Sequence, residues 1–356
     1  MVAGAGIVLH TARMLGPLLI AACTQVDDTG TRQPSFTEGD ADTDTDSDTD
    51  TDTDSDTDTD TDTDTDTDTD WPVFDCSKVP DKILEINDLD EPHGFHDVVF
   101  DTEGNLIGSD GNNLTASPDP SSNEIWVPNV GQVEGLDLLP DGDIIAASPY
   151  GVVRIDHDLG LDVLASEVYS YGMVLGPDGM AYTGRDRDVV VLDPESGDWD
   201  VLLTMPKDVY VRIVNFSPDY ARMYIATGST GGLVYAVELD VDLQPFGDAY
   251  VFASGVGEGY HDGLGVDLCG NLYVNDYYAM SMFRVSPLGE VELIHEWGGD
   301  FGYGHGQEWG SGLSAWRYDA IYVPQPYQEN SVAELVVGIP SRRYNDGKYK
   351  VINAEK

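Results

Sequence analysis

The sequence predicts an all-β protein, a six-bladed β-propeller with four-stranded blades, preceded by an acidic linker that we expect to be disordered. Three observations support this. Six similar segments recur along the chain, Asp-Gly hairpin turns mark the clearest of them, and one extra strand precedes the first segment. Equivalent positions fall at residues 97, 135, 172, 213, 263 and 312, so the units are 37–50 residues apart. A unit of that length holds four short strands, which is the size of a propeller blade.

The first 23 residues have the pattern of an export signal. Arg13 precedes an apolar run, residues 14–22, and small residues stand just before Cys23. The ending Leu19-Ile20-Ala21-Ala22-Cys23 resembles the bacterial lipobox, in which the cysteine becomes lipidated. This resemblance implies a lipoprotein tethered to the membrane only through the lipid on Cys23. A plain secretory signal is the alternative.

Residues 24–70 form a linker in which Asp occupies every even position from 40 to 70, mostly alternating with Thr. The repeat itself, residues 41–70, has no apolar side chain larger than that of Ala41 to bury, and its charges repel one another, so we expect an extended spacer. At about 3.3 Å per residue, 30 residues reach at most about 100 Å. Calcium binding is the alternative, but the glycine turn and closing Glu of an EF-hand loop are missing.

The charge of the chain excludes two classes of partner. The chain carries 66 acidic and 17 basic residues, for a net charge of −49. Residues 1–70 hold 19 of the acids and two of the bases, so the body keeps 47 and 15, a net charge of −32. Nucleic acid and anionic membrane surfaces need basic patches, so neither is an expected partner. Basic partners and divalent cations remain open.

The propeller is expected to span residues 71–356. Each unit predicts two strands joined by a tight hairpin, as at Asp141-Gly142 and Asp178-Gly179, followed by a third and often a fourth β-rich run. The last unit lacks a fourth strand, and residues 82–86 could supply it and close the ring. A stack of hairpins in two sandwiches is the alternative architecture.

Two cysteines remain if Cys23 is lipidated. In the predicted fold, Cys269 lies in the bottom hairpin of the fifth blade, and Cys76 lies just before the strand entering the sixth blade from the same face. We therefore expect a Cys76–Cys269 disulfide in an oxidising compartment. We also expect a monomer in the cell envelope. Thr24, and not Asp, follows the lipobox cysteine, which by resemblance to enteric lipoprotein sorting implies the outer membrane or cell surface rather than the inner membrane.

The repeated pattern of Gly-hydrophobic, Pro-Asp-Gly and Asn-Leu-Tyr-Val, best seen from Asp262 to Asn275, resembles the SMP-30/gluconolactonase/luciferin-regenerating-enzyme superfamily and, more loosely, NHL- and TolB-type propellers. The resemblance spans residues 82–340. It implies a divalent cation at the top of the channel, held by an acid in the first blade, Asn in the fourth and Asp in the fifth. Only Asp262 matches; His96 and Arg212 replace the other two, and Tyr171 replaces an Asn of the third blade.

Two arrangements of the site follow from these residues. In one, Glu134, Asp262 and His96 hold Ca²⁺, or else Zn²⁺ or Mn²⁺, and a bound water attacks a lactone or ester, with His261 as a general base. In the other, which we favour, Arg212, Tyr171 and His96 bind a small polar or anionic ligand, and Asp262 and Glu134 orient them. Ser311 and Asp276 are further candidates for ligand binding at the same face.

Two further hypotheses involve no small-molecule site. In one, the acidic exterior serves as a protein-binding surface. In the other, the side chains at the top of the channel form hydrogen bonds only with one another and with water.

Overall fold

The computed structural model describes residues 74–156, 160–229, 231–298, 304–313, 315–325 and 331–345, which belong to one compact unit, Thr69–Lys356. The predicted signal peptide, the predicted linker and Cys23 therefore lie outside the described residues. Strands dominate, and 3₁₀ helices occur at Cys76–Lys78 and Arg342–Asn345. None of the described helices is long and apolar enough to cross a bilayer.

The strands form six four-stranded antiparallel sheets, which confirms the predicted six-bladed propeller. From inner to outer strand, blade 1 is β2 (Val98–Phe100), β3 (Leu106–Ser109), β4 (Leu114–Ser117) and β5 (Glu124–Val127); blade 2 is β6 (Gly135–Leu138), β7 (Ile144–Ser148), β8 (Gly151–Ile155) and β9 (Leu161–Ala165); blade 3 is β10 (Met173–Leu175), β11 (Ala181–Arg185), β12 (Asp188–Leu192) and β13 (Trp199–Thr204). Blade 4 is β14 (Val211–Phe216), β15 (Arg222–Thr227), β16 (Leu233–Glu238) and β17 (Tyr250–Ser254); blade 5 is β18 (His261–Val266), β19 (Leu272–Asp276), β20 (Ser281–Val285) and β21 (Val291–Glu296); blade 6 is β22 (Glu308–Trp309), β23 (Ala320–Gln325), β24 (Ser331–Val336) and β1 (Glu85–Leu89).

Tight turns join the first two strands of blades 2 and 3, as predicted. Gly142 and Gly179 have φ angles of 99° and 81°, a region that residues with a Cβ rarely adopt. The preceding Asp178 accepts a hydrogen bond from the backbone N–H of Met180, which fixes the turn. We call the end of the propeller that carries these hairpins the bottom and the opposite end the top.

The ring is closed by the N-terminal strand. β1 pairs with β24 in antiparallel register from Glu85↔Val336 to Leu89↔Val332, so the predicted closing strand is confirmed three residues later than expected. The expected disulfide is also confirmed: Cys76 is bonded to Cys269, in the turn between β18 and β19. The closing strand is thus fixed to a neighbouring blade as well as to its own sheet.

The sixth blade corrects one prediction. Its inner strand is β22, where Trp309 pairs with Ile321, and not the segment that starts at Ser311. Ser311 follows that strand and its hydroxyl donates to the carbonyl of Gly104, in the bottom turn of blade 1. Ser311 therefore lies at the bottom of the propeller and cannot join a ligand site at the top.

Buried acids connect neighbouring blades around the channel. Asp97 accepts from the N–H of Leu136 in the next blade at 3.0 Å, and Asp137 accepts from the N–H of Leu175 at 2.6 Å. These bonds satisfy inner-strand N–H groups that have no further strand beside them.

The C-terminal segment Ile339–Arg343 enters the bottom of the channel and bonds to five blades. Arg343 donates to Asp137 of blade 2 at 2.6 and 2.9 Å and to a blade 3 carbonyl, and Arg342 donates to Asn215 of blade 4 at 2.8 Å. Backbone groups of Pro340 and Ile339 accept from blades 5 and 6. The segment therefore acts as a central brace on the bottom side.

Candidate functional site

Each blade contributes one side chain to a ring at the top of the channel, because each inner strand starts there. The ring residues lie just before or at the start of those strands: His96, Glu134, Tyr171, Arg212, Asp262 and His305. Five of them are predicted ring residues, and His305 takes the place expected for Ser311. The channel contains a cavity of about 60 Å³, lined by residues from Tyr171 and Asp262 to Arg343, which has room for only a few waters. The mouth is the place where a larger ligand would fit.

The guanidinium of Arg212 is fixed by hydrogen bonds and by two aromatic rings. Its guanidinium donates to Asp262, and its Nε donates to the carbonyl of His261 at 2.8 Å. Its carbon Cζ lies 3.8 Å from the ring centre of Tyr171 and 4.0 Å from that of Tyr260, on cation–π geometry. No acidic side chain or backbone carbonyl of the described residues accepts from its remaining nitrogen, Nη1.

Two histidines meet beside this arginine. The Nδ1 atoms of His96 and His305 are 3.1 Å apart. His96 Nδ1 is also 3.4 Å from Glu134, and His305 Nδ1 is 3.3 Å from Asp262. The four side chains form a chain of proton-accepting groups, carboxyl–imidazole–imidazole–carboxyl, across the mouth.

Gln132 fixes the proton on His96. Its amide NH₂, which can only donate, lies 2.7 Å from Glu134 Oε1, which accepts from it. The same nitrogen lies 2.8 Å from His96 Nε2, which must then hold a lone pair. A neutral His96 therefore carries its proton on Nδ1, facing His305 and Glu134.

Burial controls the ionisation of the ring. Burial, with His305 and Arg212 nearby, lowers the pKa of His96 to about 3, and burial and Arg212 lower the pKa of His305 to about 3. Burial and the charge of Asp262 raise the pKa of Glu134 to about 7. Burial also raises the pKa of Asp262, and Arg212 opposes that rise. At neutral pH both imidazoles are uncharged and Glu134 is half-protonated.

Tyrosines surround one side of the mouth. Tyr169 packs edge-on against Tyr171, and Tyr260 lies 4.8 Å from Tyr278 between ring centres. Tyr169 and Tyr278 are 46% and 57% exposed, so their rings are available to a bound molecule. The mouth thus has an aromatic side and a titratable polar side.

Two predicted site residues hold the loops and do not face the mouth. His261 accepts from the N–H of Thr227 at Nδ1 and donates from Nε2 to the carbonyl of Val256, and it is fully buried. The expectation that it is a general base is corrected, because neither ring nitrogen is available to take a proton. Asp276 accepts from the N–H groups of Gly259, Tyr260 and Ala279, so it shapes the loop that carries Tyr260 instead of contacting a ligand.

The expected metal set does not assemble. Among the described residues, no three or more His, Cys, Asp and Glu side chains are arranged to hold a metal ion. Asp262 accepts from Arg212, whose charge would repel a cation. The residues present therefore do not fit Ca²⁺, Zn²⁺ or Mn²⁺ held by His96, Glu134 and Asp262.

Gln132 and Tyr260 are absent from the sequence prediction, and His305, which the sequence suggests for a loop covering the mouth, is not among the predicted ring residues. His305 and Tyr260 each stand in the loop before an inner strand, the position that defines the ring in every blade. Placing the sixth inner strand at β22 would have identified His305. Gln132 lies two residues before Glu134, and its role depends on side-chain geometry that a repeat pattern does not encode.

Solved structures share this fold. A gluconolactonase from Xanthomonas campestris has a TM-score of 0.58 and 13% identity over 73% of this chain and 94% of its own. A calcium-binding regucalcin from Agrobacterium tumefaciens gives 0.56 and 17%, covering 74% and 95%. An auxiliary nutrient binding protein from Bacteroides thetaiotaomicron gives 0.55 and 10%, covering 74% of each. No protein-family model matches the chain, and no curated protein matches it in sequence. The likeness shows the fold alone and agrees with the predicted six-bladed propeller.

Proposed function

We propose that the protein is an exported propeller that binds a small polar ligand, preferably an anion, at the top of its channel. The observation that carries this is the fixed position of Arg212, stacked between Tyr171 and Tyr260, with Nη1 bonded to no carboxylate or backbone carbonyl of the described residues. An immobilised guanidinium loses little entropy when it binds a carboxylate or phosphate. A solved structure of the same fold is described as an auxiliary nutrient binding protein, which gives a precedent for ligand binding by such a propeller.

Charge balance favours an anion that arrives with a proton. Arg212 is neutralised by Asp262, and the two histidines are uncharged, so the ionisation of Glu134 decides the net charge of the mouth. With Glu134 protonated the mouth is neutral and its carboxyl can donate a hydrogen bond. With Glu134 ionised it repels an anion. Neutral ligands would instead depend on the exposed tyrosines.

Calorimetry with a panel of small carboxylates, organic phosphates and neutral polyols tests the proposal. We expect an anion to bind the wild type and to bind Arg212→Gln at least 100-fold more weakly. Arg185→Gln is the matched control, because Arg185 also stacks on an aromatic ring, that of Trp199, outside the ring of site residues. Equal binding of anions by wild type and Arg212→Gln would refute the role of the arginine.

Hydrolysis of a lactone or ester is the second candidate. A carboxyl group with a pKa of about 7, bonded to Gln132 and beside a neutral imidazole, can take a proton from attacking water at neutral pH. The gluconolactonase of the same fold also supports this candidate function. A lactone panel assayed with and without added Ca²⁺, Zn²⁺ or Mn²⁺ tests it, and turnover abolished by Glu134→Gln would support it over simple binding.

We further propose that the protein is a monomer anchored in the cell envelope by a lipid on Cys23, at the outer membrane or cell surface. The support is the sequence Leu19-Ile20-Ala21-Ala22-Cys23 and the acidic spacer behind it. Cys23→Ser should move the protein from the membrane fraction to the soluble fraction. Unchanged fractionation would favour a plain secretory signal.

A further inference from the structure

A groove on the bottom face, between blades 3 and 4, is separate from the ring site. It has a volume of about 800 Å³ and is lined by three turns: Pro177 and Asp178, residues 219–221, and residues 239–243. Val241 in the third turn is 96% exposed, and Phe246, three residues after that turn, is 77% exposed. An apolar surface so exposed on an otherwise highly charged protein indicates a docking surface.

The charges around the groove select its occupant. Asp178, Asp219, Asp240 and Asp242 all belong to the lining, and no lining residue is basic. A segment that fits must therefore bring apolar side chains for Val241 and positive charge for the four carboxylates.

The chain itself has such a segment. Residues 346–356, Asp-Gly-Lys-Tyr-Lys-Val-Ile-Asn-Ala-Glu-Lys, contain three basic and two acidic residues, and the basic Lys348 and Lys350 stand together without an acid between them. Tyr349 and Val351 alternate with Lys348 and Lys350, so in an extended conformation the apolar pair shares one side of the segment.

The path of the chain leads to the groove. Arg342 lies 5.1 Å from the ring centre of Tyr220, which lines the groove, so the brace Ile339–Arg343 ends beside it. Eleven residues extend up to about 36 Å, enough to follow the groove from this point.

We propose that residues 346–356 dock in this groove, with Tyr349 and Val351 against Val241 and with Lys348 and Lys350 bonded to the surrounding carboxylates. Docking covers the exposed apolar surface and holds the brace in the channel from outside. This proposal does not depend on the ligand proposed for the ring site.

Hydrogen exchange measured by mass spectrometry compares the full chain with a variant that ends at Asn345. We expect backbone amides of 217–221 and 239–243 to exchange at least 10-fold faster in the shortened variant. The turn 286–290 of blade 5 is the matched control, because Leu288 is 86% exposed there and should not respond. Equal exchange in the groove with and without the segment would overturn the proposal.

Charge-reversal variants of the full chain test the proposed ion pairs between the segment and the groove. Lys348→Glu with Lys350→Glu should remove the protection, and adding Asp242→Lys should restore part of it. Asp242 is suited because its carboxylate makes no hydrogen bond to the described residues, whereas Asp240 holds its own turn. Glu290→Lys, an exposed acid in blade 5, should restore nothing. Failure of Asp242→Lys to restore protection, or protection that rises with protein concentration in a dimer, would overturn docking within one chain.

Discussion

Glu134 makes the ring sensitive to pH. Its folded-state pKa of about 7 exceeds the ordinary value of 4.5, so the folded protein holds this proton more tightly than the unfolded chain. The stability from the protonated group is complete below pH 4.5 and is lost as pH rises to 7. Relative to wild type, Glu134→Gln should gain up to about 1.4 kcal/mol in free energy of unfolding per pH unit in that window.

Urea denaturation at pH 4.5, 6 and 8 measures this difference. Glu290→Gln, a change at an exposed carboxylate, supplies the control and should run parallel to wild type. A stability difference between Glu134→Gln and wild type that stays constant with pH would contradict the raised pKa. Loss of the same proton should also weaken anion binding, by up to tenfold per pH unit above 7.

His96 and His305 act in the opposite direction. Burial lowers both pKa values to about 3 from 6.5, so the unfolded chain binds these protons more readily. The stability of the neutral rings is complete above pH 6.5 and falls as pH drops towards 3, by about 1.4 kcal/mol per unit and histidine at most. His305→Gln should therefore unfold less steeply with acid than wild type in circular dichroism titrations. An unchanged acid slope would show that His305 is protonated in the folded protein.

The sequence repeat predicts most of the strands, because a few neighbouring residues determine each hairpin turn. Asp141-Gly142 and Asp178-Gly179 determine their turns within four residues, and the neighbouring strands follow from alternation. The prediction fails in the sixth blade because β22 has only two residues, too few to show the alternating pattern of a strand. Trp316 is buried in the connection that follows β22, so the sequence of that connection has the apolar pattern expected of a strand. The position of each ring residue is likewise local, but the contact between His96 and His305, 209 positions apart, depends on ring closure.

The disulfide fixes the closing strand. Cys76 and Cys269 are 193 positions apart, so the bond restricts a very long loop of the unfolded chain. Replacing both cysteines with Ser should cost about 2–4 kcal/mol in free energy of unfolding. Reductant should lower the Tm of wild type and leave that of the double variant unchanged. Equal effects on both proteins would show that the bond does not form in solution.

The brace Ile339–Arg343 stabilises the ring from inside through Arg343 and Asp137, a buried ion pair. Arg343→Met removes the guanidinium that neutralises this carboxylate and should cost about 3–5 kcal/mol in free energy of unfolding. Arg317→Met removes an exposed pair with Asp319 and should cost about 1 kcal/mol or less. Chemical denaturation compares the two, and equal losses would argue against the brace.

For the whole molecule, the ring site and the chain termini of the described part lie at opposite ends. The ring opens at the top, while Cys76 and Arg343 are fixed to bottom turns or to the bottom of the channel. A tether that leaves from residue 74 therefore starts on the side away from the site. Under the proposed lipid anchoring, this arrangement leaves the mouth accessible to ligands.

The acidic N-terminal region should contribute nothing to the stability of the propeller. All strands of the described part begin at Glu85 or later, and the Thr-Asp repeat has no apolar side chain to bury. A chain that starts at Trp71 loses 19 acids and two bases, which reduces the net charge from −49 to −32 and with it the self-repulsion. Its Tm should match that of the full chain within about 2 °C at high salt, where charges are screened, and should be equal or higher at low salt. A second variant that starts at Asp90 also loses β1 and Cys76, and should fail to unfold cooperatively because its sixth blade is left with three strands. A Tm more than about 5 °C lower for the first variant would show that residues 1–70 pack on the propeller.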